Sequence, residues 1–246
     1  MKTGLKVALG LTGAMLVAFG IEAAYIHYDR NRPAPTATQP DYGPTDPDDI
    51  VFLKRKHPES VADLKDLYGQ TVWVQAGGQM EYFAAATHRA DYTKPAGVLL
   101  GAEPLKIVEA FQQARPKSVT TRVPAGTGQV LLEFTMPKSA DPAKLYAAPV
   151  GYRDASGYNF FTDDMFFYDD PHKLWNWSPQ IWQAIDSHQV VTGMNQRQVS
   201  LSLGAIARQK SGQYGDGEMI YANAGHPIAV TFAKGKVTGS RPTESF

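Results

Sequence analysis

Residues 178–204 read SPQIWQAIDSHQVVTGMNQRQVSLSLG, and this stretch contains the boundary signals of two successive helices. Ser178 and the proline after it are typical of a helix start, because serine caps free N–H groups and proline fits the first turn. Asn195 and Gln198 form an Asn-x-x-Gln capping box for a second helix. Gly204 is a residue type that ends helices. The sequence therefore predicts one helix ending near residue 188 and another ending at Gly204.

Each predicted helix has one apolar side. Ile181, Trp182 and Ile185 form a stripe on the first helix, and Val199 and Leu203 are spaced one turn apart on the second. Such faces are stable only when another element covers them. We expect these side chains to be buried against the strands that follow in the chain.

The remaining C-terminal sequence is typical of strands. Residues 219–222 and 228–232 are short apolar runs, and Lys234 and Gly235 form a turn before Val237. The order is two helices followed by an antiparallel sheet. Residues 171–246 are therefore predicted to form an ααβββ domain of the α+β class.

This C-terminal unit, residues 170–239, resembles the BamE/SmpA/OmlA-like family of envelope proteins. That family has a V/I-x-x-G-M-T/S-x-x-Q-V-x-x-x-L-G pattern, followed by strands that close with F-x-x-G-x-V. The matching residues here are Val191, Gly193, Met194, Asn195, Gln198, Val199, Leu203, Gly204, Tyr221, Val230, Phe232, Gly235, Lys236 and Val237. The resemblance implies a module that binds proteins or lipid surfaces, and the family supplies no catalytic residue to transfer. Family members are commonly lipoproteins, whereas this chain has no cysteine.

The middle of the chain, residues 50–170, is rich in strand signals. A short helix is predicted at 58–68, and strands are predicted at 119–123 and 129–136 with a hairpin between them. Residues 105–111 fit a strand or a helix. Many short strands at regular spacing indicate a β-rich domain, either a small barrel or a sandwich.

The N-terminus has an export signal, predicted as residues 1–28. Lys2 and Lys6 are the only charges before Glu22, and residues 7–21 are all apolar or small. Two alternatives remain open: a cleaved signal peptide, or an uncleaved anchor that crosses a membrane with residues 7–26. The lysines are expected to stay inside. The predicted location is a bacterial inner membrane with a periplasmic domain, or secretion if the signal is cleaved.

Residues 29–49 contain five prolines and almost no large aliphatic side chain. Such a segment buries too little apolar area to offset its ordering entropy, so we predict a disordered Pro-rich linker. The net charge of the chain is zero, which argues against a nucleic-acid partner. With no cysteine, the chain forms no disulfide.

Two clusters are candidate sites. Trp175, Trp177, Trp182 and Tyr168 form either an exposed patch for a protein or glycan, or a seam between the two folded parts. The acidic loop at residues 163–172 is either a polar turn, a weak metal site, or the carboxylates of a hydrolase. The metal candidates in this loop are Asp169, Asp170 and His172.

The sequence contains no recognisable catalytic motif and indicates no cofactor. The leading hypothesis is a non-enzymatic, membrane-anchored envelope protein that binds a protein partner. A periplasmic hydrolase that uses the acidic loop and a cell-wall or glycan-binding module are the alternatives.

Overall fold

The structure, a computed structural model, describes residues 20, 22–28, 50–75, 77–209 and 216–244. The chain divides into two compact units, Met1–Asp41 and Tyr42–Phe246. Most of the predicted anchor and the whole predicted linker at 29–49 lie outside the described residues. Residues 20 and 22–28 are helical and exposed. None of the helices in the described ranges has the length and apolar character needed to cross a membrane.

The first part of the second unit is dominated by an antiparallel sheet. Among the described residues this sheet has eight strands, in the order β3-β2-β6-β5-β4-β1-β8 with β7 paired to β6. The strands are β1 (Thr71–Val74), β2 (Glu81–Ala85), β3 (Ala90–Val98), β4 (Pro104–Gln113), β5 (Gly128–Thr135), β6 (Tyr146–Asp154), β7 (Gly157–Phe160) and β8 (Phe166–Phe167). The predicted α+β class with a β-rich first part is confirmed.

The central strand β5 is buried on both faces. Val130, Leu132 and Phe134 belong to the main core, which also contains the buried side chains Leu64 and Leu67 of a 3₁₀ helix (Asp63–Leu67). This 3₁₀ helix replaces the longer helix predicted at 58–68, because Asp63 accepts hydrogen bonds from two preceding N–H groups and fixes a turn there. The opposite face of β5 supplies Leu131 to a smaller apolar cluster.

The large sheet is bent so that the start of β3 reaches the end of β4. These strands share no backbone ladder among the described residues, but the side-chain amide of Gln113 accepts a hydrogen bond from the Ala90 N–H (2.8 Å) and donates one to the Ala90 carbonyl (2.9 Å). The smaller apolar cluster, which includes Phe83, Tyr92 and Leu131, also contains Ala90, the residue that Gln113 contacts. The barrel-like form of residues 50–170 stays a prediction.

The strand predicted at 119–123 is wrong. These residues have no strand conformation. Two of their carbonyl groups and the Thr121 hydroxyl accept hydrogen bonds from side chains instead. The amide of the buried Gln129 donates to the Thr121 hydroxyl (2.8 Å) and to the Val123 carbonyl (2.6 Å), while Arg115 binds the carbonyl of Val119. Side-chain partners therefore replace the ladder that would have made a hairpin with β5.

Four helices of the described chain follow the large sheet or lie between its last strands. They are α1 (Thr162–Met165), α2 (Pro171–Leu174), α3 (Pro179–Asp186) and α4 (Gln196–Leu203). Ser178 caps α3 through the Ile181 N–H, and the Asn195–Gln198 capping box begins α4 with both of its hydrogen bonds formed. The predicted caps of both long helices are confirmed.

The C-terminal sheet has four strands in the described residues, in the order β12-β11-β10-β9. They are β9 (Ile206–Gln209), β10 (Gly217–Tyr221), β11 (Ile228–Ala233) and β12 (Lys236–Pro242). The prediction of three strands missed β9, because all four of its side chains are exposed and give no apolar alternation.

A second core joins the helices to the C-terminal sheet. Ile185, Val199 and Leu203 are buried with Met219 and Val230 of the sheet, as the helix faces predicted. This core also contains side chains from the β-rich part, namely Ala102, Phe167 and the partly buried Trp73. The second core therefore takes side chains from both sides of the predicted domain boundary at residue 170.

Glycines allow the backbones of the two parts to meet directly. A Cβ atom at Gly101 would lie 2.0 Å from the carbonyl oxygen of Leu201 in α4, and one at Gly204 would lie 2.6 Å from the carbonyl oxygen of Gly77. Such distances are shorter than any real carbon–oxygen contact, so only glycine fits. The end of α4 is thus packed against the loop after β1 and the loop between β3 and β4.

Candidate functional site

The three predicted tryptophans do come together as a stack, in which Trp175 and Trp182 are buried and Trp177 is partly buried. Trp175 and Trp177 are parallel with ring centroids 5.0 Å apart, and Trp177 lies 4.9 Å from Trp182. Phe167 of β8 meets Trp175 edge-on at 5.3 Å. Trp175 is 2 % exposed and Trp182 is 7 % exposed, so both rings serve mainly as core. This burial fits the seam interpretation of the cluster.

Beside this stack lies a cleft of about 310 Å³. It is lined by Trp175 and Leu53, and by Arg197 and Leu201 of α4. The Arg197 guanidinium lies 5.8 Å from the centre of the Trp175 ring, a cation–π distance. Of the predicted binding residues, Trp175 is the one that borders this cleft.

Tyr168, the fourth predicted binding residue, belongs to a different neighbourhood. Its hydroxyl donates a hydrogen bond of 2.7 Å to the Asp163 carboxylate. Burial raises the pKa of Tyr168, and the adjacent Asp163 carboxylate contributes to the shift. Tyr168 therefore positions the Asp163 carboxylate, and it packs against a different core from the tryptophans.

Carboxylates of the acidic loop hold residues 51–57, which we call the strap. Asp163 accepts hydrogen bonds from the N–H groups of Lys56 (3.0 Å) and His57 (2.9 Å). Asp164 pairs with Arg55 at 3.0 Å, and Asp169 pairs with Lys54 at 2.6 Å. These acidic groups are therefore satisfied by the strap, which favours a structural role for them over hydrolysis.

His172 lies between two other carboxylates. Its Nδ1 is 3.0 Å from Asp170, the residue that caps α2, and its Nε2 is 3.1 Å from Asp186 at the end of α3. The imidazole also packs on Trp182, with ring centroids 4.2 Å apart. Asp169 points to the strap instead, so the three metal candidates of the loop do not converge. Within the described ranges, no group of three or more acidic or histidine side chains could hold a metal ion.

The chain matches no family model, no curated protein and no solved structure. The resemblance of residues 170–239 to the BamE/SmpA/OmlA-like family accordingly stays a prediction.

Sequence reasoning missed a buried carboxyl pair in the large sheet. Glu109 of β4 lies directly opposite Glu133 of β5, and His88 contacts the carboxylate of Glu109. Glu133 is 3 % exposed, and one of its carboxylate oxygens has no partner among the described residues. Burial raises the pKa of Glu133, and Glu109 raises it further against an opposing effect of His88. The pair could be found only from the register of β4 and β5, which places the two like charges opposite each other.

This pair predicts a pH-dependent stability. The folded state raises the pKa of Glu133 above its ordinary value of 4.5. The contribution of this side chain to the free energy of unfolding is therefore fully present below pH 4.5 and is lost as the pH rises through the pKa of Glu133 in the folded protein. We expect Glu133→Gln to increase the free energy of unfolding at pH 8 by about 1 kcal/mol, with a smaller gain near pH 4. Urea denaturation of both proteins between pH 4 and pH 8 measures this difference.

The control for this measurement is Glu59→Gln, since Glu59 is exposed. That change should leave the pH profile of stability as it is in the wild-type protein. A gain for Glu133→Gln that is the same at every pH would contradict a raised pKa of Glu133 in the folded protein.

Sequence reasoning also missed the free edge of the C-terminal sheet. In the part of the chain that the structure describes, β9 forms a ladder with β10 and no other strand, and Ile206 is 37 % exposed although it is a large aliphatic residue. At the other side of the sheet, the loop between α3 and α4 pairs with β12 through Gly193 and Met194, each of which bonds to the backbone of Val237. The described part of the sheet therefore has one edge that is partly covered and one that is open.

Proposed function

We propose that the protein is a non-enzymatic, exported envelope protein whose folded part binds a protein partner. Its N-terminal segment, residues 1–28, holds it at a bacterial inner membrane, and residues 29–49 act as a spacer. The support for this placement is the run of apolar residues at 7–21 behind Lys2 and Lys6.

The open edge of β9 carries the proposed binding role. All four side chains of Ile206–Gln209 are exposed, and within the described ranges this strand forms a ladder with β10 and with no second strand. A sheet edge without a second ladder can pair with a strand of another chain. The partner that fits is an extended segment of protein, with an apolar side chain placed to contact Ile206.

The helix pair beneath the sheet supports this role. The faces of α3 and α4 are buried against β10 and β11, while the side chains of β9 are exposed. A BamE-like assignment of residues 171–246 and a barrel-like assignment of residues 50–170 belong to the same proposal. The Gln113–Ala90 contact between β4 and β3 supports the barrel-like form.

The experiment is photo-crosslinking from β9 in intact envelopes. A photoreactive residue in place of Arg208 is expected to give a discrete adduct with a protein partner. Ile206→Lys introduces a charge that disfavours strand addition, so it should reduce the yield of that adduct at least tenfold. The folded state should lose no more than about 0.5 kcal/mol, since the residue is on the surface.

The matched control is Val191→Lys, because Val191 is 38 % exposed and Ile206 is 37 % exposed. This change adds the same charge in the loop between α3 and α4, and the adduct should persist. Equal adduct yields from the wild type and Ile206→Lys, or no discrete adduct at all, would refute the proposed role of β9.

A further inference from the structure

At a second strand edge, that of β3, a side chain of the protein already occupies the hydrogen-bonding groups that a partner strand would use. The carboxamide of Gln113 accepts from the Ala90 N–H at 2.8 Å and donates to the Ala90 carbonyl at 2.9 Å. An added strand would make this same pair of hydrogen bonds with its backbone. The edge at Ala90 is therefore oriented and spaced for an extended peptide.

The space for such a peptide is a cleft beside this contact. It has a volume of about 580 Å³ and is lined by both the β3 edge and the loop after β4. The walls include small side chains, Ala84, Ala85 and Ala86, opposite Pro116 and Val119. Backbone pairing does not close the cleft, because the described part of β3 forms a ladder with β2 alone and the end of β4 forms one with β5 alone.

The charges at the cleft favour an acidic occupant. Arg89 lines the cleft and is exposed, and Arg115 and Lys117 lie in the loop that borders it. The carboxylate on the lining, Asp91, is engaged by the backbone N–H and hydroxyl of Thr93 at 3.0 and 2.6 Å. The lining itself carries Arg89 and Asp91, and Arg115 and Lys117 in the bordering loop add the positive charge that is complementary to a peptide with carboxylate side chains.

We propose that the cleft binds an acidic, extended peptide segment of a partner protein. The peptide backbone displaces the Gln113 carboxamide and adds to β3 as a new edge strand. This inference deepens the proposed function, since it rests on the protein having a protein partner, but it places a second contact on a surface distinct from β9.

The test uses the full chain in detergent micelles and a fluorescent ten-residue peptide of alternating valine and glutamate. Fluorescence anisotropy should show saturable binding to the wild type. Gln113→Ala removes the competing carboxamide, and we expect it to bind the peptide about fivefold more tightly, the equivalent of roughly one hydrogen bond. Gln113→Met, which keeps the side-chain volume, should show the same gain and guards against a folding defect in the alanine variant.

Two controls separate this site from others. A peptide of alternating valine and lysine should bind at least tenfold more weakly, and Val191→Lys, a change at an exposed residue that does not line the cleft, should leave the affinity for the acidic peptide unchanged. Equal or weaker binding by both Gln113 variants, equal binding of the two peptides, or no saturable binding overturns the inference. Loss of binding in Ile206→Lys would place the peptide at β9, which overturns this inference while leaving the proposed function standing.

Discussion

Gly101→Ala is expected to lower the free energy of unfolding by about 3 kcal/mol, the upper end of the usual cost of overpacking. The new Cβ atom would lie 2.0 Å from the Leu201 carbonyl oxygen and 2.9 Å from its carbon. Both are backbone atoms of α4, so no side-chain rotation relieves the clash. Either the loop that contains Gly101 or the helix must move, and each movement opens the second core. Urea denaturation of the full chain, followed by tryptophan fluorescence, measures the loss.

Gly239→Ala is the matched control for this substitution. Gly239 lies in β12, and a Cβ atom there would meet nothing within 4 Å. Because alanine restricts the unfolded chain more than glycine does, this change should be neutral or slightly stabilising. If both variants unfold within about 0.5 kcal/mol of each other, the close approach between the β-rich part and α4 does not exist.

Asp163→Ala is expected to release the strap and to cost about 2 kcal/mol, a typical value for hydrogen bonds to a charged group. Asp163 holds two backbone N–H groups and the Tyr168 hydroxyl. Burial acts to raise the pKa of Asp163, but the hydrogen bonds outweigh it, so the pKa is lower than its ordinary value of 3.8. The attachment therefore persists at neutral pH and is lost only as the pH falls through the folded pKa.

Limited trypsin digestion reads out this release, because the strap contains Lys54, Arg55 and Lys56. Cleavage after these residues, identified by mass spectrometry, should be at least tenfold faster in the variant. Asp164→Ala is the control, since Asp164 makes a surface ion pair with Arg55 and its side chain is 77 % exposed. Unchanged cleavage of the strap in Asp163→Ala would show that Asp163 does not secure it.

Local signals account for what the sequence predicted well. The capping residues Ser178 and Asn195 act within one helical turn, and the apolar stripes of α3 and α4 are visible at short spacing. Their burial against the strands follows from those stripes, because an apolar face must be covered. Strands such as β5 and β11 were visible for the same reason, as runs of buried apolar residues.

Features that depend on distant parts of the chain were not visible in the sequence. The segment 119–123 has strand composition, yet the side chains of Gln129 and Arg115 take up its hydrogen-bonding groups. The opposition of Glu109 and Glu133 depends on the register of β4 and β5, and the strap depends on contacts over more than 100 residues of sequence. The candidate binding edges at β9 and β3 have no composition signal, since backbone groups form them.

The strap also determines how the fold would respond to mechanical load. Residues 51–57 precede β1 in the chain, so tension applied from the N-terminal side reaches the contacts with Asp163 before it reaches the ladder of the large sheet. Those few hydrogen bonds are expected to rupture first and to lengthen the free chain by the reach of about seven residues, roughly 23 Å. The ladder of the large sheet would remain paired during that extension, while Val51 and Leu53 would leave the second core against which they pack.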